Sequence, residues 1–290
     1  MASPRPFNIR IFVADGQPDG LRLVEKSNWV GLGVVCPRSR YPKVKSRSEF
    51  DNSAVYILTG LDDESELPMV YVGEAETVRA RLDSHHANKD FWQQAIVFTT
   101  RGDPLNKAEV QYLEARLVEI AKSCGRCKLN NGNTPKRPGL SEADQAQIEG
   151  YLEEMLSLLP VLGVHQFDDQ EKAPASTDRP MYSCGTKDLD AEGYESNAGF
   201  VVKKGSQAKG TTTTSMTMGL KIRDALLANG VLVPDGDHYR FSKNFEFGSP
   251  SVAAAIVLGR QANGRTEWKD ASGVTLKEHQ LAESEVQAEA

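Results

Sequence analysis

Arg81 and His85 lie four residues apart in a segment, 77–87, whose Val78 and Leu82 recur at helical spacing. That spacing is about one turn, so the two side chains share a face, while His86 lies roughly 100° further round and points elsewhere. A guanidinium fixed beside a phosphate stabilises the charge that develops there during cleavage. Its planar fork can hold two phosphate oxygens, which a lysine cannot do. His85 on the same face would be a general base or a proton relay. Taken singly, each is more often an ordinary surface side chain, and the spacing is what joins them. Glu114 lies in a second helical segment, 105–122, beside the apolar stripe Val110, Leu113, Leu117 and Ile120. A carboxylate there is costly unless it pairs with Arg116 or Arg81 or meets a cation. One carboxylate cannot cage an ion, but Mg²⁺ keeps waters and accepts a phosphate oxygen as a further ligand.

The elements around these residues follow from periodicity. Residues 7–13 alternate as a strand, 21–27 suit a short helix, and 29–35 suit another strand, so 1–52 reads as a βαβ-like extension ending in a basic loop. The apolar runs 54–58 and 69–72, divided by an acidic turn at Asp62 to Glu66, predict a hairpin. A strand at 95–100 follows the Arg81 helix. Ser141 can cap a helix that runs to about Leu159. Residues 168–196 are polar, with Pro174, Pro180 and several glycines, and read as a linker. Beyond it come a strand at 199–203, helices at 216–229 and 250–259, strand-like segments near 238–247, a last strand around Glu267, and a disordered acidic tail at 280–290.

Ala54-Val55-Tyr56 and Tyr71-Val72-Gly73, followed in order by Arg81, His85, Glu114 and Asn130, resemble the GIY-YIG nuclease family over about residues 53–132. The resemblance implies an α/β (α+β) nuclease domain at 53–167, a three-stranded antiparallel sheet flanked by helices. It implies metal-dependent endonuclease activity: hydrolysis of DNA phosphodiesters with Mg²⁺ or Mn²⁺, in restriction, phage defence or repair by association with similar architectures. Tyr56 would accept the proton of the attacking water. Its reference pKa of about 10 means that it needs help. Tyr71 would bind phosphate or orient the water, and Glu114 would hold the metal. Glu109 and Glu119 compete for that role, but Leu117-Val118 stand where the family pattern puts them for Glu114. Gly73 would let the chain leave the strand sharply and let a backbone approach closely. Asn130 would close the site or serve as a turn residue. The chain departs from the pattern at Ala54, where the family has Gly, and at Leu129, where a Tyr often precedes the Asn.

Net charge is −6, which argues against nucleic acid until its distribution is examined. Arg38, Arg40, Lys43, Lys45 and Arg47 precede the hairpin; Lys122, Arg126, Lys128, Lys136 and Arg137 follow the Glu114 helix. These two stretches could contact DNA phosphates, or they could be solvated loops. The four cysteines form no disulfide framework, and Cys124-Gly125-Arg126-Cys127 lacks the second pair that a zinc site needs. With no apolar leader and no membrane-length run, the expected location is cytoplasmic. Towards the C-terminus, Gly199 to Ser206 and Ser249-Pro250-Ser251 through Asn263-Gly264-Arg265-Thr266-Glu267-Trp268 resemble the DUF4357 domain over 197–279. Ser249 would cap a helix opened by Pro250, Asn263-Gly264 would make a hairpin turn, and Trp268 would pack over it. That module could recognise a target or dimerise the chain, so a homo-oligomer stays open. Two rival readings remain: a DNA-binding protein with a silent nuclease site, and a protein-interaction module whose tyrosines are core.

Overall fold

The computed structural model describes residues 6–61, 67–168, 180–186, 188–214 and 216–288. The chain divides into two compact units, the first running through Asp168 and the second taking Asp169–Ala290. Both mix strands and helices. The acidic turn expected at 62–66 and the linker residues 169–179 lie outside the described residues.

In the first unit, β1 (Ile9–Val13), β2 (Arg22–Lys26) and β3 (Gly31–Pro37) form an antiparallel meander. The helix expected at 21–27 is therefore a strand, and the βαβ-like extension is a three-stranded one. A segment this short cannot nucleate a helix on its own, and here it gains a backbone partner on each side. After helix α1 (Tyr41–Val44) and a 3₁₀ turn (Ser48–Asp51), which occupy part of the expected basic loop, comes the hairpin of β4 (Ala54–Leu61) and β5 (Pro68–Ala75). Helix α2 (Val78–Asn88), strand β6 (Trp92–Thr100), helix α3 (Lys107–Cys124), strand β7 (Lys128–Leu129) and helix α4 (Glu142–Leu158) complete the unit.

All seven strands join one sheet in the order β1-β2-β3-β6-β4-β5-β7. The expected three-stranded sheet is thus the β6-β4-β5 portion of a wider one. It is wider because β3 pairs with β6 along its whole length, from Gly31↔Thr100 to Pro37↔Gln94. Strand alternation sorts the side chains. Val55, Ile57, Val70 and Val72 face α3 and α4, meeting Val110, Leu113, Leu117 and Met155. Tyr56, Leu58, Ala95 and Val97 face the other way, towards Val78 and Leu82 of α2 and towards Tyr41 and Phe50. Helix α3 starts on a capping box in which Asn106 and Glu109 exchange side chain-to-backbone hydrogen bonds, and it ends at Gly125 with φ 67°. Ser141 caps α4 as expected, accepting from the Asp144 N–H at 3.1 Å.

The second unit has strands β8 (Tyr182–Thr186), β9 (Leu189–Ser196), β10 (Gly199–Val202), β11 (Gln207–Lys209), β12 (Leu232–Asp235), β13 (His238–Phe241) and β14 (Phe245–Phe247). They form two sheets, β14-β10-β9-β8 and β11-β13-β12. Helices α5 (Thr217–Ala228), α6 (Pro250–Leu258), α7 (Gly264–Glu267) and α8 (Leu276–Ala288) accompany them. Four expectations are corrected here. Tyr182–Thr186 and Leu189–Ser196 are paired strands rather than linker, the strand expected around Glu267 is the turn of helix α7, and the acidic tail is helical as far as Ala288. Asn263 does not make a hairpin turn but caps α7, accepting from the Arg265 N–H at 3.1 Å.

Candidate functional site

Tyr56 and His85 are brought together by the packing of α2 on β4. Both are buried, and the Tyr56 hydroxyl lies 2.8 Å from His85 Nε2. Burial, then the charges of Lys89 and Arg81, lowers the His85 pKa to about 4, so the ring is neutral at physiological pH. A neutral ring with its proton on Nδ1 accepts the Tyr56 proton at Nε2. Burial, above all, raises the Tyr56 pKa, and Tyr71 adds to this while Arg81 opposes it. A free phenolate is therefore disfavoured. The Tyr71 ring stands edge-on to His85, with centroids 4.8 Å apart. His86 points away, as its helical position predicts, and its ring lies against Tyr41 and Trp92.

Gly73 pairs with Tyr56 across the hairpin. Contrary to expectation it does not end its strand, which continues to Ala75. Its role is spatial. A Cβ at position 73 would come within 2.4 Å of the Tyr56 Cζ and hydroxyl oxygen. The Tyr56 ring occupies the space that a side chain would need.

Arg81 is exposed, one turn before His85, and Tyr56, Tyr71 and Glu74 all raise its pKa. Glu114, half-buried on α3, has its carboxyl pushed up to about 7, first by burial and then by Glu74; Arg81 and Lys107 pull the other way. Glu74 is itself held by Lys107, whose Nζ lies 2.9 and 3.0 Å from its two carboxylate oxygens. The rival acids are engaged elsewhere. Glu109 closes the capping box, accepting from the Asn106 N–H at 2.8 Å, and Glu119 binds Arg137 and Arg116. Arg116 does not serve Glu114 either, since its Nε donates to Glu149 at 2.6 Å. Among the described residues no three His, Cys, Asp or Glu side chains are grouped to hold a metal ion. A divalent ion at Glu114 would therefore need water and phosphate oxygens as its remaining ligands. A carboxyl whose ionised form is destabilised by burial and by a second carboxylate fits such an ion, because a cation relieves both effects.

Sequence reasoning missed three residues here. Lys89 Nζ lies over the Tyr71 ring, 4.7 Å from its centroid, and donates to Asn130 Oδ1. Asn131 pairs with the Val72 backbone, accepting from its N–H at 3.0 Å and donating to its carbonyl at 2.7 Å, so it extends the sheet edge beyond β7. Glu74 is the third. Its place beside the second tyrosine motif was the only signal for it.

Most of the basic residues expected to follow DNA are engaged inside the fold. Arg38 donates to the His86 carbonyl at 2.9 Å and to the Lys89 carbonyl, with its guanidinium over Trp92. Lys45 pairs with Asp83 at 3.0 Å, Arg47 with Glu49 at 2.7 Å, and Arg137 with Glu119. Arg40 donates to Gln17 at 2.6 Å, Lys122 to Thr134, and Arg126 faces Asp168 at 4.0 Å. Lys43, Lys128 and Lys136 are exposed. All four cysteines are free and buried; the Cys127 thiol is pushed up to about 12, mainly by burial. The C-x-x-C segment packs at the end of α3, and Cys127 offers no ready thiolate. No helix among the described residues is long and apolar enough to cross a membrane.

In the second unit Ser249 caps α6, accepting from the Val252 N–H at 3.3 Å, and Pro250 opens the helix. Trp268 is fully buried, donates from Nε1 to the Pro250 carbonyl at 3.0 Å, and lies 4.5 Å from the Phe200 ring centroid. This strand, helix cap and tryptophan form one core. Residues 182–280 match the family model of DUF4357, a domain of unknown function. The DUF4357 domain thus starts at β8 and not at the expected residue 197. No curated protein and no solved structure matches the chain.

Proposed function

We propose that the first unit is a metal-dependent endonuclease of the GIY-YIG type that hydrolyses DNA phosphodiesters. The observation that carries this reading is the buried Tyr56–His85 hydrogen bond, with Arg81 on one side and the destabilised Glu114 carboxyl within reach of Arg81's charge.

A buried tyrosine with a raised pKa is a poor phenolate, but a relay needs none. As the phenol oxygen takes the proton of an attacking water, its own proton passes to His85 Nε2, which is neutral and already in hydrogen-bond contact. Arg81 meets the negative charge that grows on the phosphoryl oxygens. Mg²⁺ or Mn²⁺, held by Glu114, would supply Lewis-acid stabilisation of the same charge. Tyr71 packs against His85 and fixes the ring plane that the relay needs.

The test is a cleavage panel of single-stranded, duplex and modified DNA with Mg²⁺ or Mn²⁺, comparing wild type with Tyr56→Phe. Metal-dependent cutting that Tyr56→Phe abolishes is the expected result. DNA binding without cutting on any substrate would instead mean a silent site.

A further inference from the structure

Lys89 is the least explained charge at the site. Its backbone is fixed twice: its N–H donates to the His85 carbonyl at 2.9 Å, and its carbonyl accepts from Arg38. Its ammonium is held by Asn130 Oδ1 and lies over the Tyr71 ring. Burial lowers its pKa, yet among the described residues no carboxylate is paired with it. An amide oxygen and a ring face do not neutralise a partly desolvated ammonium. The position is prepared for an anion.

The spacing says which anion. Arg81, His85 and Lys89 follow one another at four-residue steps, Lys89 being the residue that ends α2, so the backbone climbs roughly 12 Å from the first to the last. Both cations act on His85, the hydrogen-bond partner of Tyr56. Both side chains are long, and one phosphate centred on Tyr56 engages Arg81 first. We propose that Lys89 is a second phosphate-holding cation of this site, gripping the backbone phosphate next to the one that faces Tyr56 and Arg81. The inference rests on the phosphodiester reading of the same site. It makes the bound strand span the helix face with two fixed points, which sets the direction in which the cut phosphate is presented.

The test is a salt titration of binding to a labelled random-sequence DNA duplex without divalent metal. Lys89→Met keeps the stem against Tyr71 and removes the charge. It should flatten the slope of log K against log salt by about 0.9, the value for one duplex phosphate contact. Lys89→Arg should keep the wild-type slope. Should Lys89→Met fail to fold, Lys89→Gln, which keeps a donor for Asn130, carries the same expectation. Charge-free variants with the wild-type slope would overturn the proposal. Wild-type protein that binds duplex but never cuts it with Mg²⁺ or Mn²⁺ sinks the endonuclease reading, while the slope still decides Lys89. Normal cutting with an unchanged Lys89→Met slope sinks this inference alone.

Discussion

Tyr56 and Gly73 are cross-strand partners, and the phenol ring of one fills the side-chain space of the other. Gly73→Ala would place a methyl 2.4 Å from the phenol oxygen, so the ring must move and the 2.8 Å bond to His85 must lengthen or break. We expect loss of cleavage together with a stability cost of about 1–3 kcal/mol, as for overpacking. Tyr56→Phe should lose cleavage too, at about 0.5–1.5 kcal/mol for the missing hydrogen bond. The check is denaturant unfolding beside single-turnover cleavage. Gly73→Ala with wild-type rates would show that the ring position is not critical.

Glu114 gives a pH signature. Burial beside Glu74 pushes its folded pKa up to about 7, above the ordinary glutamate value of 4.5. Between these values the native state binds more protons than the unfolded one, so this group's contribution to stability falls as pH rises through that window. Glu114→Gln should therefore raise the thermal midpoint more at pH 8.5 than at pH 5. Added Mg²⁺ should stabilise the wild type at high pH and leave Glu114→Gln unmoved. A midpoint difference independent of pH would refute the raised pKa.

The acid limb of cleavage separates Glu114 from His85. If proton competition at Glu114 limits metal binding, the midpoint lies near or below 7 and moves down as Mg²⁺ is raised. If protonation of His85 is limiting, the midpoint lies near 4 and ignores Mg²⁺. Rate profiles at two metal concentrations distinguish them. We expect the metal-dependent limb, because it is met first as pH falls.

The basic loops contain both fasteners and exposed charges. Arg38→Ser should lower thermal stability by about 1–3 kcal/mol, since it removes the hydrogen bonds that anchor the end of α2. Lys43→Ser, at an exposed position, should leave stability unchanged and flatten the salt dependence of DNA binding. Parallel melting curves and salt titrations decide it. An unchanged slope for Lys43→Ser would make the loop a solvated surface.

Chain truncation tests the domain boundary. Residues 1–168 should form a soluble fragment that retains the nuclease activity proposed for the first unit. A fragment ending at 196 would keep β8 and β9 without β10, whose Phe200 and Val201 pair with Glu195 and Tyr194. It should aggregate, because β9 is left as an open edge. Equal solubility of the two fragments would count against this boundary.

The part of the site written in local spacing was legible. Arg81 and His85 are one turn apart, and the hairpin tyrosines sit in plainly apolar strands. Lys89 and Asn131 were not legible, because their roles come from where α2 ends and where the chain after α3 returns to the β5 edge. Those positions are set by tertiary packing. The β8–β9 pair was hidden for a different reason. Its outward positions carry Asp190 and Glu192, so the polar face outweighed the buried Leu189 and Ala191. Arg22–Lys26 misled in the opposite sense, since a short charged segment gives no period long enough to distinguish helix from strand.

The pairing of β3 with β6 has a consequence for biosynthesis. Gly31 meets Thr100, and more than fifty residues separate the two strands along the chain. At ordinary translation rates several seconds pass before β6 follows β3 out of the ribosome. During that interval Val34, Val35 and Cys36, all fully buried in the finished protein, have no partner on the β6 side. Yield should therefore depend on how fast the segment between them is translated, and on any chaperone that shields a nascent strand edge.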